Sequence, residues 1–157
     1  MTQAAELVAT LRQRDLTVAV AESLTGGLLA SAFVDVPGAS EVFAGGIVAY
    51  QAIHKSRQLG VPEELIERHS VVDPRVAVYM AQGVREKFDA DIGLSTTGVA
   101  GPDAVGDHPV GTVFVGISAH DVTRALPLQL SGSRHDIRIE TVNAALSGLV
   151  AILGEQI

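Results

Sequence analysis

Apolar and polar residues alternate along the chain with two different periods, and these periods predict where helices and strands lie. Residues 2–14 carry apolar side chains at helical spacing with charges between them, which predicts an amphipathic helix capped by Thr2. Thr17–Ala21 is a β-rich run without a polar break and predicts the first strand. The apolar run Leu28–Val34 predicts a second helix, which we expect to begin near Thr25.

The other elements follow from the same periods and from the positions of proline and glycine. Further strands are predicted at 42–50, 91–97, 111–119 and 122–130, and further helices at 52–59, 63–68, 74–88 and 134–153. Only His120 and Asp121 separate the last two strands, so these strands must form an antiparallel hairpin. Helices alternate with the first three strands, which implies parallel pairing with helices on both faces. The predicted fold class is α/β, a three-layer α/β/α domain with a mixed sheet.

Composition narrows the class of protein. A length of 157 residues suits one domain, and 47% hydrophobic with 18% charged residues is typical of a globular chain. A net charge of −7 without a basic run argues against nucleic acid as the main partner. The absence of cysteine excludes disulfides and thiolate catalysis and favours a cytoplasmic location. We see no signal peptide and no apolar run long enough to span a membrane, so no membrane partner is expected.

The junction between the first strand and the second helix is the strongest candidate for chemistry. It contains the acid Glu22, the hydroxyls of Ser23 and Thr25, and the glycines Gly26 and Gly27. The N–H groups of a first helix turn are unpaired, so this junction is suited to hold an anion or to stabilise charge on a substrate oxygen. Ser23 is placed to be a helix cap, a ligand contact or a nucleophile. The alternative is structural, because Ser and Thr are preferred caps and glycine permits close packing.

Other polar residues follow the ends of the predicted parallel strands, which meet at one edge of the sheet. Ser23, Tyr50 and Thr96–Thr97 fall at such ends, so we expect them in a common crevice. Lys55 follows on a short helix and is either a solvated surface charge or an ammonium turned into the crevice. There it could fix a phosphate or, with a pKa lowered by burial, act as a base for a Ser–Lys pair. Tyr50 has three possible roles: it packs in the core, it relays a proton, or it donates a hydrogen bond to the substrate.

Two further loops add polar groups near these strand ends. Thr96, Thr97 and Gly98 open a turn whose N–H groups can converge on an anion, although a plain surface loop is the alternative. Arg134 lies in the first turn of the last helix, where a cation opposes the helix dipole, so either a compensating anion binds there or the charge is simply exposed. Asp73 is interpreted as a helix cap and nothing more.

No metal or cofactor is expected from the spacing of potential ligands. The five histidines are scattered and show no His-x-x-x-His pair or clustered carboxylates. His108 beside Asp107 is a weak metal candidate at most.

Four motifs, in this order along the chain, together carry a family resemblance. They are AESLTGG at 21–27, GGIVAY at 45–50 with Lys55 and LGV at 59–61, TTGVAGP at 96–102, and PVGTV at 109–113. In this combination they resemble the C-terminal domain of the competence/damage-inducible CinA proteins, a family that includes stand-alone nicotinamide-nucleotide amidases. The resemblance covers nearly the whole chain and implies a single domain of this type over residues 1–157.

The resemblance implies a function and a set of roles. The reaction would be hydrolysis of the carboxamide of nicotinamide mononucleotide to nicotinic acid mononucleotide and ammonia, in pyridine-nucleotide salvage, without a metal. The protein would be a homodimer or a higher homo-oligomer, with a mixed five-stranded sheet in which one strand is antiparallel. Ser23 would be the nucleophile, Lys55 the base with Tyr50 assisting, and Arg134 would meet the phosphate or support the site.

Substrate contacts are predicted from the same loops. They are Glu22, Thr25, Gly26, Gly27, Thr96, Thr97, Gly98 and Arg134. The chain departs from the family's pattern at 52–54, at 103–108 and at Ser133, where the family has an aspartate. A non-catalytic nucleotide-binding or regulatory module on the same fold, or hydrolysis of a different amide, therefore stays open.

Overall fold

The structure, a computed structural model, describes residues 1–155. Its strands are β1 Val18–Glu22, β2 Phe43–Val48, β3 Ile92–Gly98, β4 Thr112–Ser118 and β5 Thr123–Gln129. Its α-helices are α1 Gln3–Arg14, α2 Leu28–Val34, α3 Ala52–Leu59, α4 Glu63–His69, α5 Pro74–Lys87 and α6 Arg134–Glu155, and a 3-10 turn covers Ala39–Glu41. The prediction of a single domain over 1–157 stays a prediction, and 156–157 lie outside the described residues.

The five strands form one mixed sheet in the order β2-β1-β3-β4-β5. β1 pairs in parallel with both β2 and β3, whereas β4 is antiparallel to its neighbours β3 and β5. The predicted α/β fold, with a five-stranded sheet and one antiparallel strand, is therefore confirmed. The reason is local: a connection of four residues between β4 and β5 allows only a hairpin.

Helices cover both faces of the sheet. One face carries α1, α2 and α6, whose side chains Leu11, Phe33 and Leu149 share a buried cluster with those of β1, β3 and β4. On the other face α3 and α5 pack against β1 through residues such as Leu59 and Met80. Two apolar layers separated by a sheet explain why the strands of the centre are buried on both sides.

The ends of several helices follow the local signals in the sequence. Thr2 caps α1 by accepting a hydrogen bond from Ala5, and Asp73 caps α5 through the N–H of Arg75, as predicted. Ser133 precedes α6 and accepts from the N–H of Asp136. α2 is the exception, because it begins at Leu28 rather than near residue 25, and the preceding residues form a turn.

The longest helix corrects an expectation drawn from composition. Among the described residues α6, with 22 residues, is long and apolar enough to cross a membrane by length and composition alone, although no such run was predicted. Its residues Ile137, Ala145 and Leu149 are fully buried against the rest of the domain. This apolar character is that of a helix packed on one side of a folded core.

Candidate active site

The candidate site lies where β1, β2 and β3 end. Glu22, the last residue of β1, pairs with Val48 of β2 and Thr96 of β3. Ser23 comes next, and its N–H donates to the carbonyl oxygen of Thr96 at 3.0 Å. Ala49 continues β2, and its N–H donates to the carbonyl oxygen of Glu22 at 2.9 Å. Parallel pairing of a central strand with two neighbours thus places Ser23 between the two flanking chain segments.

Lys55 on α3 turns inward and contacts Ser23. Its Nζ donates to Ser23 Oγ at 2.8 Å, to the carbonyl oxygen of Ala49 at 2.7 Å and to that of Tyr50 at 3.0 Å. The side chain is fully buried, so the interpretation as a solvated charge is wrong. Burial lowers the pKa of Lys55 to about 8, because the charged form loses its hydration.

The three partners of the amine differ in what they can do. The carbonyl oxygens of Ala49 and Tyr50 can only accept, so they hold two N–H bonds in either protonation state. Ser23 Oγ is the partner that can also donate. When Lys55 is neutral, its lone pair is left for the position facing the Ser23 hydroxyl. The arrangement can therefore remove a proton from Ser23 without rearrangement.

Threonines of two segments fix the backbone of this centre. Thr96 Oγ1 is 2.8 Å from Thr25 Oγ1 and 3.3 Å from the N–H of Ser23, and both threonines are fully buried. Because the two hydroxyls contact each other, Thr25 has only its backbone groups left to contact a substrate. Thr97 is the next residue of the strand, and its hydroxyl donates instead to the carbonyl oxygen of Val71 at 2.9 Å. The expected substrate contact of Thr97 is therefore not supported.

Glu22 stabilises the protein's own helix rather than facing a ligand. Its buried carboxylate accepts from the N–H of Leu29 at 2.7 Å and of Ala30 at 3.1 Å. The start of α2, which the sequence indicates as suited to an anion or to charge on a substrate oxygen, thus binds an internal carboxylate. Gly27 takes the N-cap position with φ +107°, so the alternative of Ser23 as the cap is also wrong.

The turn over residues 23–27 leaves backbone donors near the Ser23 hydroxyl. Gly26, in the left-handed region at φ +56°, donates its N–H to the carbonyl oxygen of Ser23 at 3.2 Å. The N–H groups of Leu24, Thr25 and Gly27 have no acceptor among residues 1–155. Two of these donors, the N–H groups of Leu24 and Thr25, come directly after Ser23 along the chain, and free N–H groups of this kind can stabilise negative charge on an oxygen.

Gly98 has a packing role at the end of β3. It pairs with Val113 of β4, and a Cβ added there would lie 2.5 Å from the carbonyl oxygen of Thr112. No side chain fits at this position without moving backbone. The close approach of β4, rather than a contact with substrate, accounts for this glycine.

Tyr50 and Arg134 form an exposed rim beside the buried centre. The Tyr50 hydroxyl accepts from Arg134 Nη2 at 2.9 Å, and Arg134 Nη1 donates to the carbonyl oxygen of Gly101. Tyr50 is 59% exposed. Its hydroxyl contacts Arg134, and its backbone carbonyl oxygen accepts a hydrogen bond from Lys55. The guanidinium is oriented by these two partners although Ser133 replaces the family's aspartate.

Arg138 is a residue that the sequence reasoning missed. Its Nε donates to the carbonyl oxygen of Leu24 at 2.8 Å, and its Nη2 donates to that of Thr25 at 3.2 Å. A signal was available, because Arg138 follows Arg134 by four residues and therefore shares its helix face. Among residues 1–155 no group of three or more His, Asp or Glu side chains could hold a metal ion.

Fold and site together define a class of protein: an α/β domain with a buried Ser–Lys pair at the carboxyl ends of parallel strands. Residues 1–153 match the family described as the CinA C-terminal domain. The chain therefore belongs to the CinA C-terminal domain family.

Relatives with curated names support this membership. A CinA-like protein from Gemmatimonas aurantiaca is 44% identical over 147 residues, covering 93% of this chain and 34% of the relative. A CinA-like protein from Frankia casuarinae is 49% identical over 136 residues, covering 87% of this chain and 31% of the relative. The chain thus spans about a third of the length of the curated relatives it matches.

Solved structures match over nearly their full length. A competence-damaged protein (CinA) superfamily protein from Escherichia coli has a TM-score of 0.93 at 30% identity, over 96% of this chain and 88% of its own. The competence/damage inducible protein CihA from Agrobacterium tumefaciens has a TM-score of 0.92 at 32% identity, over 97% and 93%. These proteins share the whole fold with this chain.

Proposed function

We propose that this chain is a metal-independent amidohydrolase that converts nicotinamide mononucleotide and water to nicotinic acid mononucleotide and ammonia. The observation that carries the proposal is the fully buried Lys55 amine, 2.8 Å from Ser23 Oγ, with a pKa lowered to about 8. A buried amine that titrates near neutral pH beside a hydroxyl is the requirement for a Ser–Lys nucleophile. The choice of substrate rests on the family resemblance.

The reaction follows from the two side chains. Neutral Lys55 takes the proton of Ser23 as Oγ attacks the carboxamide carbon, and the carbonyl oxygen becomes an oxyanion. Lys55 then gives this proton to the leaving nitrogen, so that the C–N bond breaks, ammonia departs and an acyl ester remains on Ser23. Water attacks this ester with Lys55 as base, which releases the acid and restores the hydroxyl.

Backbone donors supply the third requirement of amide hydrolysis, stabilisation of the oxyanion. The N–H groups of Leu24 and Thr25 follow Ser23 directly and have no acceptor among residues 1–155. They are fixed before substrate binds, because the carbonyl oxygens of the turn are already engaged. Removal of one such donor typically lowers the catalytic rate by about 100- to 1,000-fold in other enzymes.

The exposed rim suits the anionic end of a nucleotide. Arg134 presents a guanidinium whose Tyr50 partner is itself exposed, and a phosphate oxygen can replace that partner. Tyr50 then has two roles in this proposal, a phenol at the rim and a carbonyl that holds Lys55. Assembly into a homo-oligomer remains a prediction of the resemblance, and a cytoplasmic location remains a prediction from the absence of cysteine.

Ammonia release from nicotinamide mononucleotide tests the proposal directly. We expect release by the wild type, a loss of at least about 1,000-fold in Ser23→Ala, and an unchanged rate in Ser31→Ala, whose hydroxyl lies on the exposed side of α2. Binding of the nucleotide without release would favour a regulatory module. Release only from another amide would correct the substrate, and full activity of Ser23→Ala would remove Ser23 from the mechanism.

A further inference from the structure

We propose that Arg138 is a positioning residue that holds the turn after Ser23 with its backbone N–H groups directed at the substrate oxygen. This inference rests on the amide hydrolysis proposed above. Arg138 lies one helical turn after Arg134 on α6, and its half-buried side chain reaches across to the turn between β1 and α2. There it binds two successive carbonyl oxygens, those of Leu24 at 2.8 Å and Thr25 at 3.2 Å.

Peptide geometry connects these contacts to the oxyanion donors. The Leu24 carbonyl and the Thr25 N–H belong to one peptide unit, and in a trans peptide they point in opposite directions. Among residues 1–155 the one cis peptide bond is Gly101–Pro102, so this unit is trans. Because Arg138 holds the carbonyl on the α6 side, the Thr25 N–H faces away from α6. It stays without an acceptor in the described residues.

The charge of Arg138 is directed at the turn. Within residues 1–155 it takes part in no ion pair, whereas four other arginines pair with carboxylates. Hydrogen bonds from a charged donor are stronger than neutral ones, and a cation at a carbonyl oxygen polarises the peptide and strengthens its N–H as a donor. Arg138 therefore fixes the direction of the Thr25 N–H and also increases its strength toward an oxyanion.

The turn leaves space for this guanidinium. Gly26 has φ +56°, and a Cβ added to it would lie 3.4 Å from Arg138 Nη2. The backbone of Gly26 is in a conformation that side chains rarely adopt, so a substitution there would be strained. The positive φ is what favours glycine at this position, and an added Cβ would be in van der Waals contact with the guanidinium.

Kinetics of three variants test the inference. Arg138→Met removes both hydrogen bonds, and Arg138→Lys keeps the charge without the planar guanidinium. Arg14→Met is a matched control, because Arg14 also donates to a carbonyl oxygen, that of Leu153 at 2.8 Å, near the other end of α6. For ammonia release from nicotinamide mononucleotide we expect Arg138→Met to lower kcat about 10- to 100-fold with KM within about threefold. Arg138→Lys should recover part of the loss, and Arg14→Met should match the wild type.

Labelling of Ser23 by a fluorophosphonate provides a readout that needs no nucleotide turnover. The phosphonyl oxygen occupies the place of the oxyanion, so Arg138→Met should be labelled more slowly than wild type, with thermal unfolding measured in parallel. If the wild type is labelled but releases no ammonia, the substrate is wrong and slower labelling of Arg138→Met still supports the role of Arg138. The role of Arg138 would be overturned if Arg138→Met and the wild type had equal kcat and equal labelling rates. It would also be overturned if Arg14→Met lost as much activity, or if the unfolded fraction of Arg138→Met accounted for the loss. A wild type that is neither labelled nor active would overturn both proposals.

Discussion

The buried centre and the exposed rim of the crevice contain hydrogen bonds of nearly the same length. Lys55 Nζ lies 2.8 Å from Ser23 Oγ, and Arg134 Nη2 lies 2.9 Å from the Tyr50 hydroxyl. Their surroundings differ, because Lys55 is fully buried whereas Tyr50 is 59% exposed. Burial lowers the pKa of the amine to about 8, whereas the guanidinium lies at the surface, where an anion can reach it.

This difference teaches that distance alone does not assign a role. In the centre, two carbonyl oxygens fix the direction of the Lys55 amine, and the loss of hydration lowers its pKa. A base requires both. At the rim, an exposed guanidinium has donors that can bind an anion, but it has no lone pair with which to act as a base. We therefore expect changes in the centre to act on kcat and changes at the rim to act on KM.

The largest effect is expected when the amine of the centre is removed. Lys55→Met should lower kcat for ammonia release at least about 1,000-fold, because Ser23 loses its base. In the wild type kcat/KM should rise with pH up to about 8, where Lys55 becomes neutral, and then level off. The control is Lys87→Met, which removes an exposed amine that contacts Gln58.

Stability should follow the same titration. The pKa of Lys55 is about 8 in the folded state and 10.5 when unfolded, so between these values the unfolded chain binds more protons. The free energy of unfolding of the wild type should therefore rise relative to Lys55→Met from pH 8 to 10.5, by up to about 3 kcal/mol. A pH-independent difference between the two proteins would show that Lys55 is not buried as a titrating amine.

An intermediate effect should separate two adjacent threonines. Thr96→Val removes the hydroxyl that contacts Thr25 and the N–H of Ser23, so we expect a loss of about 1–3 kcal/mol in stability and about tenfold in kcat. Thr97→Val is the matched control, because it removes a buried hydroxyl that contacts Val71 instead. It should cost similar stability by chemical denaturation but leave kcat unchanged. Equal kcat values for the two variants would contradict the assignment of Thr96 to the centre.

The smallest effect on rate is expected at the rim. Arg134→Gln should raise KM for nicotinamide mononucleotide about tenfold and leave kcat within about threefold, because one charged contact to phosphate is lost. KM for nicotinamide riboside, which lacks the phosphate, should not change. Arg124→Gln is the control, since Arg124 is an exposed arginine paired with Glu155. A parallel rise of KM for nucleotide and riboside would mean that Arg134 does not contact the phosphate.

The helices, the strands and the position of the crevice at the strand ends could be predicted from the sequence, because they depend on local patterns. The predicted helix 52–59 matches α3 residue for residue, and Thr2 and Asp73 cap the helices that they precede. Periodicity, caps and turn residues act over a few positions, so they can be read without the fold. The start of α2 was misplaced, because the turn before it is stabilised by contacts with β3 and α6 rather than by its own sequence.

The sequence by itself therefore determined the order of strands and helices and the strand ends at which Ser23 and Thr96 meet. The tertiary structure decided which of those polar groups are free. It buried Lys55 against Ser23 and directed the carboxylate of Glu22 to the N–H groups at the start of α2. The alternation of side chains along β3 directed Thr96 and Thr97 to different partners, and the packing of α6 brought Arg138 to the turn after Ser23. These outcomes depend on burial and on contacts between residues far apart along the chain, which no local pattern encodes.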